Sequence, residues 1–189
     1  MAHNYYYFVA SLPYIIYGDK PPISSIEFRE QCRNFLDKSD DDLIQYCCFD
    51  PKIIVEAEKP TGSAFIDFLL LRERILNLTL ANLRAAKLRR LPVGDPPQDI
   101  PRAEALAKTA FEMDDPLGAE LMLDRARWSV LEELVGINYF HVNNIYAYLL
   151  KLQLLERKQR FTEAEGAEQY QEMYQAILND YNSKTKKED

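Results

Sequence analysis

The sequence predicts a mainly α fold, a helical bundle built from two diverged helical repeat units with a short extended or β N-terminal segment. Three observations lead there. Helix-start signals recur along the chain. Apolar residues fall at steps of three, four and seven over long stretches. Two of the longest helical segments match one another at a fixed offset.

Taken in order, the N-terminal "YYYFVASLP" (5–13) is rich in aromatic and β-branched residues, and Gly18, Pro21 and Pro22 close off the segment after it. This reads as a strand or extended arm laid on the helices, although a single helical turn ended by Pro13 fits the same residues. Its aromatics are expected to pack against the protein, so that deleting 5–10 costs stability. Ser24-x-x-Glu27 and Thr162-x-x-Glu165 are capping boxes, Ser39 precedes three aspartates suited to a helix start, and Asp115-Pro116 sets a capping side chain before a proline at the first helical position. The expected helices span 24–37, 40–48, 63–90, 102–113, 116–135, 138–160 and 163–182. Between them, "LPVGDPPQDIP" (91–101) contains four prolines and reads as a linker. The chain then divides into a first lobe over 1–90, the linker, a second lobe over 102–182 and a frayed tail over 183–189. Leu117, Leu121, Trp128, Leu131 and Val135 form one apolar stripe, and Ala167, Tyr170, Tyr174, Ile177 and Tyr181 another, so both helices need a partner face.

Composition narrows the class. A chain of 189 residues, 47% hydrophobic and 28% charged, fits one globular domain or two small lobes sharing a core. A net charge of -7 argues against nucleic acid as the main partner. The opening stretch lacks a basic flank and breaks at Pro13, short of the ~20 apolar residues of a spanning helix, and "AFIDFLLL" (64–71) is interrupted by Asp67. Neither export nor membrane insertion is expected, and a reducing cytoplasm suits the odd set of Cys32, Cys47 and Cys48, which read as small buried apolar residues.

Motifs of catalysis are missing from the sequence. His3 and His141 are far apart, the six glycines form neither a phosphate-binding loop nor a dinucleotide fingerprint, and no Glu-x-x-His pair of a di-iron bundle occurs. No catalytic residue, metal or cofactor is therefore expected. Glu120 and Asp124 stand one turn apart, and Asp124 falls inside the Leu121/Trp128 stripe, where a carboxylate needs a partner. A structural ion pair with Arg127 is the leading reading, with Arg72, Arg74 or Arg84 of the long helix as further partners; a contact to another protein and acid/base chemistry are the rivals.

The repeat superposes "NLTLANLRAAKLRR" from Asn77 on "NIYAYLLKLQLLER" from Asn144 at an offset of 67, aligning Asn77 with Asn144 and Arg84 with Lys151. Upstream, Asp50-Pro51 and Asp115-Pro116 lie near the same separation. In such repeats each unit leaves an apolar face that its neighbour covers.

The order Asp-Pro-Leu, Glu-x-x-x-Leu-Asp, an aromatic at Trp128, then Asn-Ile with a basic residue seven positions after the Asn, in "DPLGAELMLDRARW" and "VNNIYAYLLKLQLLER", resembles the helical repeat of the C (or d) subunit of V/A-type rotary ATPases. "NYYYFVASLP" is also similar to the start of a small bacterial family encoded beside V/A-type ATPase subunits. The resemblance implies a non-catalytic central-stalk subunit, cytoplasmic and peripheral to the inner membrane, coupling the shaft to the membrane ring. Other ATPase subunits are the implied partners, and Asn77, Arg84, Asn144 and Lys151 the implied contacts. The chain departs from the pattern in length, being little more than half a C subunit with two repeats at most rather than three, and in carrying Lys151 where arginine is usual. A free-standing helical adaptor or assembly factor is the alternative.

Overall fold

A computed structural model describes residues 5–56, 59–95, 101–136, 140–160 and 174. Every regular element among these residues is helical: α1 (Tyr6–Ser11), α2 (Ser25–Phe35), α3 (Lys38–Leu43) running into a 3-10 turn (Ile44–Tyr46), α4 (Pro51–Glu56), α5 (Ala64–Lys87), α6 (Pro101–Glu112), α7 (Pro116–Val135) and α8 (Val142–Arg160).

The N-terminal stretch corrects the expectation of an extended or β segment. Tyr6–Ser11 is a short helix, and extended backbone begins only at Leu12. A strand needs a neighbour to pair with, whereas a helical turn sets Tyr5 and Phe8 on one face, and both are buried. Phe8 stacks on Phe28 and Phe35 at ring separations of 5.8 and 4.6 Å. The Tyr5 hydroxyl donates to Asp40 over 2.6 Å. Beyond Pro13, whose carbonyl accepts from the Tyr148 hydroxyl, the chain continues as a strap.

Two of the start signals act as read. The Ser24 hydroxyl accepts from the Glu27 amide while Glu27 returns to the Ser24 amide, and Asp115 accepts from the Leu117 and Gly118 amides ahead of a helix beginning at Pro116. Ser39 does not cap: α3 begins two residues earlier than expected, at Lys38 after Asp37, and gives way to the 3-10 turn after Leu43, so the expected helix 40–48 is split. A further helix, α4, comes after Asp50, which accepts from the Lys52 amide. In α5 the Asp67 that interrupts the apolar run binds the amide and hydroxyl of Thr61, tying the incoming chain to the first turn. The box at Thr162 and the helix expected over 163–182 lie outside the described residues except for Tyr174.

Residues on both sides of the Pro-rich stretch enter one core. After α5 the chain doubles back: the Asn82 side-chain amide accepts from the Val93 amide at 2.8 Å and donates to the Gly94 carbonyl at 2.7 Å. α6 then runs in the same sense as α5, with the Phe111 ring near its end beneath Lys87. α7 returns antiparallel, joined to the start of α6 through Arg102 and Glu133 and to the first half of α5 through Glu73 and Arg127. One large core gathers the strap, α2, the 3-10 turn, α4, Phe65, Ile66 and Leu70 of α5, Trp128 and Leu131 of α7, and α8. A smaller cluster joins Leu76 and Leu80 to Ala107, Ala110 and Leu123. The apolar stripe of α7 is buried at Trp128 and Leu131, but Leu117 stands 45% exposed at the helix start.

Candidate functional site

Charged side chains meet in the interior between α5, α7 and α8. Asp124 is fully buried, and Arg127, Glu73 and Arg72 nearly so. Arg127 donates to Asp124 Oδ1 at 2.7 Å and, through Nε and Nη2, to Glu73 Oε2 at 3.0 and 2.8 Å. Arg72 holds the other Glu73 oxygen at 2.9 Å. Arg157 of α8 reaches inward to 3.5 Å from Asp124 Oδ2 and outward to 2.5 Å from Glu120. Three guanidinium groups thus face three carboxylates, which is how buried charges are tolerated.

Protonation equilibria are set by this packing. Burial pushes the Asp124 carboxyl above its usual range, outweighing the opposing pull of Arg157 and Arg127. Burial disfavours the charged Arg127, but Glu73 and Asp124 more than offset it and hold the guanidinium protonated. Among the described residues Asp124 Oδ2 makes no hydrogen bond, its contact to Arg157 being ionic and long.

The sequence reading placed Glu120, Asp124 and Arg127 in one ion pair. Asp124 and Arg127 are paired as expected, whereas Glu120 pairs with Arg157. The long helix does contribute, through Glu73 and Arg72; Arg74 instead donates to the Ile54 carbonyl, and Arg84 is exposed. Glu73 went unread because Arg72-Glu73-Arg74 looks like the polar end of an apolar run, although Arg72 and Glu73 are both buried.

The contacts implied by the resemblance separate into three places. Asn144 and Lys151, two turns apart on α8, line one open cleft of about 510 Å³ with Leu12, Pro13, Val135 and Tyr148. The Lys151 ammonium lies 4.7 Å from the Trp128 ring centroid and 3.4 Å from Glu132, which also accepts from the Trp128 indole at 2.8 Å. Burial lowers the Lys151 pKa, with Glu132 acting against the shift. Trp128 and Lys151 of the motif therefore touch, and Glu132, one turn beyond Trp128, is, like Glu73, not singled out in the sequence. Asn77 lines a second cleft of about 410 Å³ with Ile54, Val55, Leu78 and Ala81. Arg84 lies apart from both clefts on the exposed end of α5.

The repeat alignment is matched by burial at Thr79/Tyr146, Leu80/Ala147 and Ala85/Leu152; it fails at Leu78, Asn82, Leu83, Lys87 and Leu88, whose counterparts Ile145, Leu149, Leu150, Leu154 and Leu155 are buried. Cys32 and Cys47 are buried, with the Cys32 thiol pushed up to about 12 by burial, so both pack as inert side chains. Among the described residues no group of His, Cys, Asp and Glu could hold a metal ion, and no helix is long and apolar enough to cross a membrane.

These features define a helical body braced by an internal ionic network and bearing open clefts at Asn144 and Lys151 and at Asn77. Over residues 103–181 the chain is similar to the family described as "Protein of unknown function (DUF2764)". No curated protein and no solved structure matches the chain.

Proposed function

We propose that the chain is a non-catalytic subunit of the C/d kind, sitting at the central stalk of a V/A-type rotary ATPase and coupling the shaft to the membrane ring through protein contacts. The observation that carries the reading is the convergence of its motif residues: Asn144 and Lys151 face one cleft, with Lys151 seated on Trp128. A load-transmitting body needs stiffness, and the large core with its buried ionic cluster supplies it. An acidic surface suits the basic loops of partner subunits better than anionic lipid.

The test is affinity purification of the tagged protein from its host membranes in mild detergent, with quantitative mass spectrometry. The expected result is recovery of catalytic and shaft subunits in fixed proportion, diminished by Lys151→Glu in a variant that melts as the wild type does. Recovery without those subunits overturns the stalk reading. A free-standing helical adaptor is the second reading, favoured by Tyr7, Tyr14 and Ile16, which stand exposed along the N-terminal segment with Tyr14 in the cleft wall. It is distinguished by a partner that is no ATPase subunit and still requires the Lys151 cleft.

A further inference from the structure

We infer that the groove over the second half of α5 docks an acidic amphipathic helix of a partner protein. The inference deepens the reading of the chain as a partner-binding body and does not depend on which assembly it joins. Residues 74–94 carry Arg74, Arg84, Lys87, Arg89 and Arg90 and no Asp or Glu, in a chain whose net charge is -7. A local field opposite to that of the whole molecule selects an acidic partner.

Geometry adds a seat to the charge. The floor is Asn77, Leu78 and Ala81 of α5, walled by Ile54 and Val55 of α4. On the other side the doubled-back chain approaches, Gly94 lying against Leu78. Val55 is 65% exposed, so the apolar wall is open to solvent. Arg74, bonded to the Ile54 carbonyl, marks one end.

At the other end α5 stops in a tight turn. The Arg90 amide returns to the Ala85 carbonyl at 2.8 Å and the Arg89 amide to the Ala86 carbonyl at 3.0 Å, which forces Arg89 to a φ of 54°. Glycine is the residue that this left-handed position favours. The negative end of the α5 dipole accounts for cations in its last turn. It does not account for an arginine at the strained position, nor for Leu88, Leu91 and Val93 left 63%, 88% and 68% exposed beside it.

From Arg74 to Leu88 the helix rises about 20 Å, the length of roughly four turns of a partner helix. An apolar stripe flanked by carboxylates matches the apolar floor and the cations at its ends. An anionic bilayer also attracts Arg and Leu side chains, but a concave floor does not fit a flat surface and the net charge opposes it.

The probe is a fluorescent synthetic helix of about 18 residues with leucines at helical spacing and glutamates on both flanks, titrated against the full chain by anisotropy, beside a twin carrying lysines instead. The acidic helix is expected to bind at least about tenfold more tightly than the twin, and to lose about tenfold on Arg84→Glu. Ala81→Trp, which fills the floor, should abolish binding. Arg89→Gly should weaken it about threefold while leaving the melting temperature no lower, which separates lost charge from lost fold. Equal binding of the twins, no binding of the acidic helix, or binding untouched by Arg84→Glu and Ala81→Trp each overturns the inference. So does sedimentation with phosphatidylglycerol vesicles that the same substitutions abolish, when the acidic helix does not compete. The stalk reading fails separately, through loss of ATPase subunits in the purification.

Discussion

The arginines of α5 and its neighbours have two different fates. Arg72, Arg127 and Arg157 are drawn between Glu73, Asp124 and Glu120, and the cluster is shared by three helices. Arg84, Arg89 and Arg90, at the far end of the same long helix, lie in a stretch without a carboxylate and are exposed. What separates them is packing: α7 lies against the first half of α5 and brings Asp124 and Glu120 to the carboxylate Glu73 that α5 itself supplies, while beyond Ala85 the helix is exposed. A cation inside the stack fixes the packing of its helices; a cation outside it has no such duty.

The contrast breaks most severely at Arg127. Arg127→Met leaves Glu73 and Asp124 buried without their shared partner and should cost about 3–5 kcal/mol in urea unfolding. A loss below about 1 kcal/mol would mean that the interior cluster is no brace. Next comes Asp124→Asn, which neutralises the carboxylate whose charging burial disfavours. Because the Asp124 pKa in the folded protein is raised, its contribution to stability is fully present below the unfolded carboxylate pKa and falls as pH rises through the folded one. Arg127 and Glu120 of α7, Arg157 of α8 and Tyr17 of the strap face this group. The variant should lose that part of the pH slope and stay within about 1 kcal/mol of wild type at neutral pH, as thermal melts across the carboxylate range will show.

Smaller effects sharpen the exposed side. Arg89→Gly relieves the left-handed backbone and should add about 0.5–1 kcal/mol, read as a rise in urea midpoint at unchanged slope. Arg84→Ala should change stability by no more than about 0.5 kcal/mol, since the side chain is exposed. A large loss there would place Arg84 among the structural cations and erase the distinction.

Helices were legible where a local chemical signal sets their ends. Ser24 with Glu27 and Asp115 with Pro116 act within one turn, so the sequence alone shows them. α1 was legible only as the alternative to a strand, because its aromatic content points to strands, and α4 was not read as a helix, because six residues give too little periodicity. At the candidate site, the Asp124–Arg127 pair is an i, i+3 neighbour relation and was readable; Glu73 and Arg157 come from other helices, and only packing brings them in. How the chain runs on from α5 was not legible for the same reason: nothing local announces that Asn82 will hold Val93 and Gly94.

That hold on the returning chain has a kinetic consequence. With α6 parallel to α5, the helices able to close first are α6 and α7, joined by three residues, whereas α5 and α6 can align only after the intervening segment has retraced the helix. Asn82 holds that reversal, and the small cluster of Leu76, Leu80, Ala107 and Ala110 joins residues on either side of it. Asn82→Ala is therefore expected to slow refolding more than it lowers the urea midpoint, which stopped-flow refolding beside equilibrium unfolding will show.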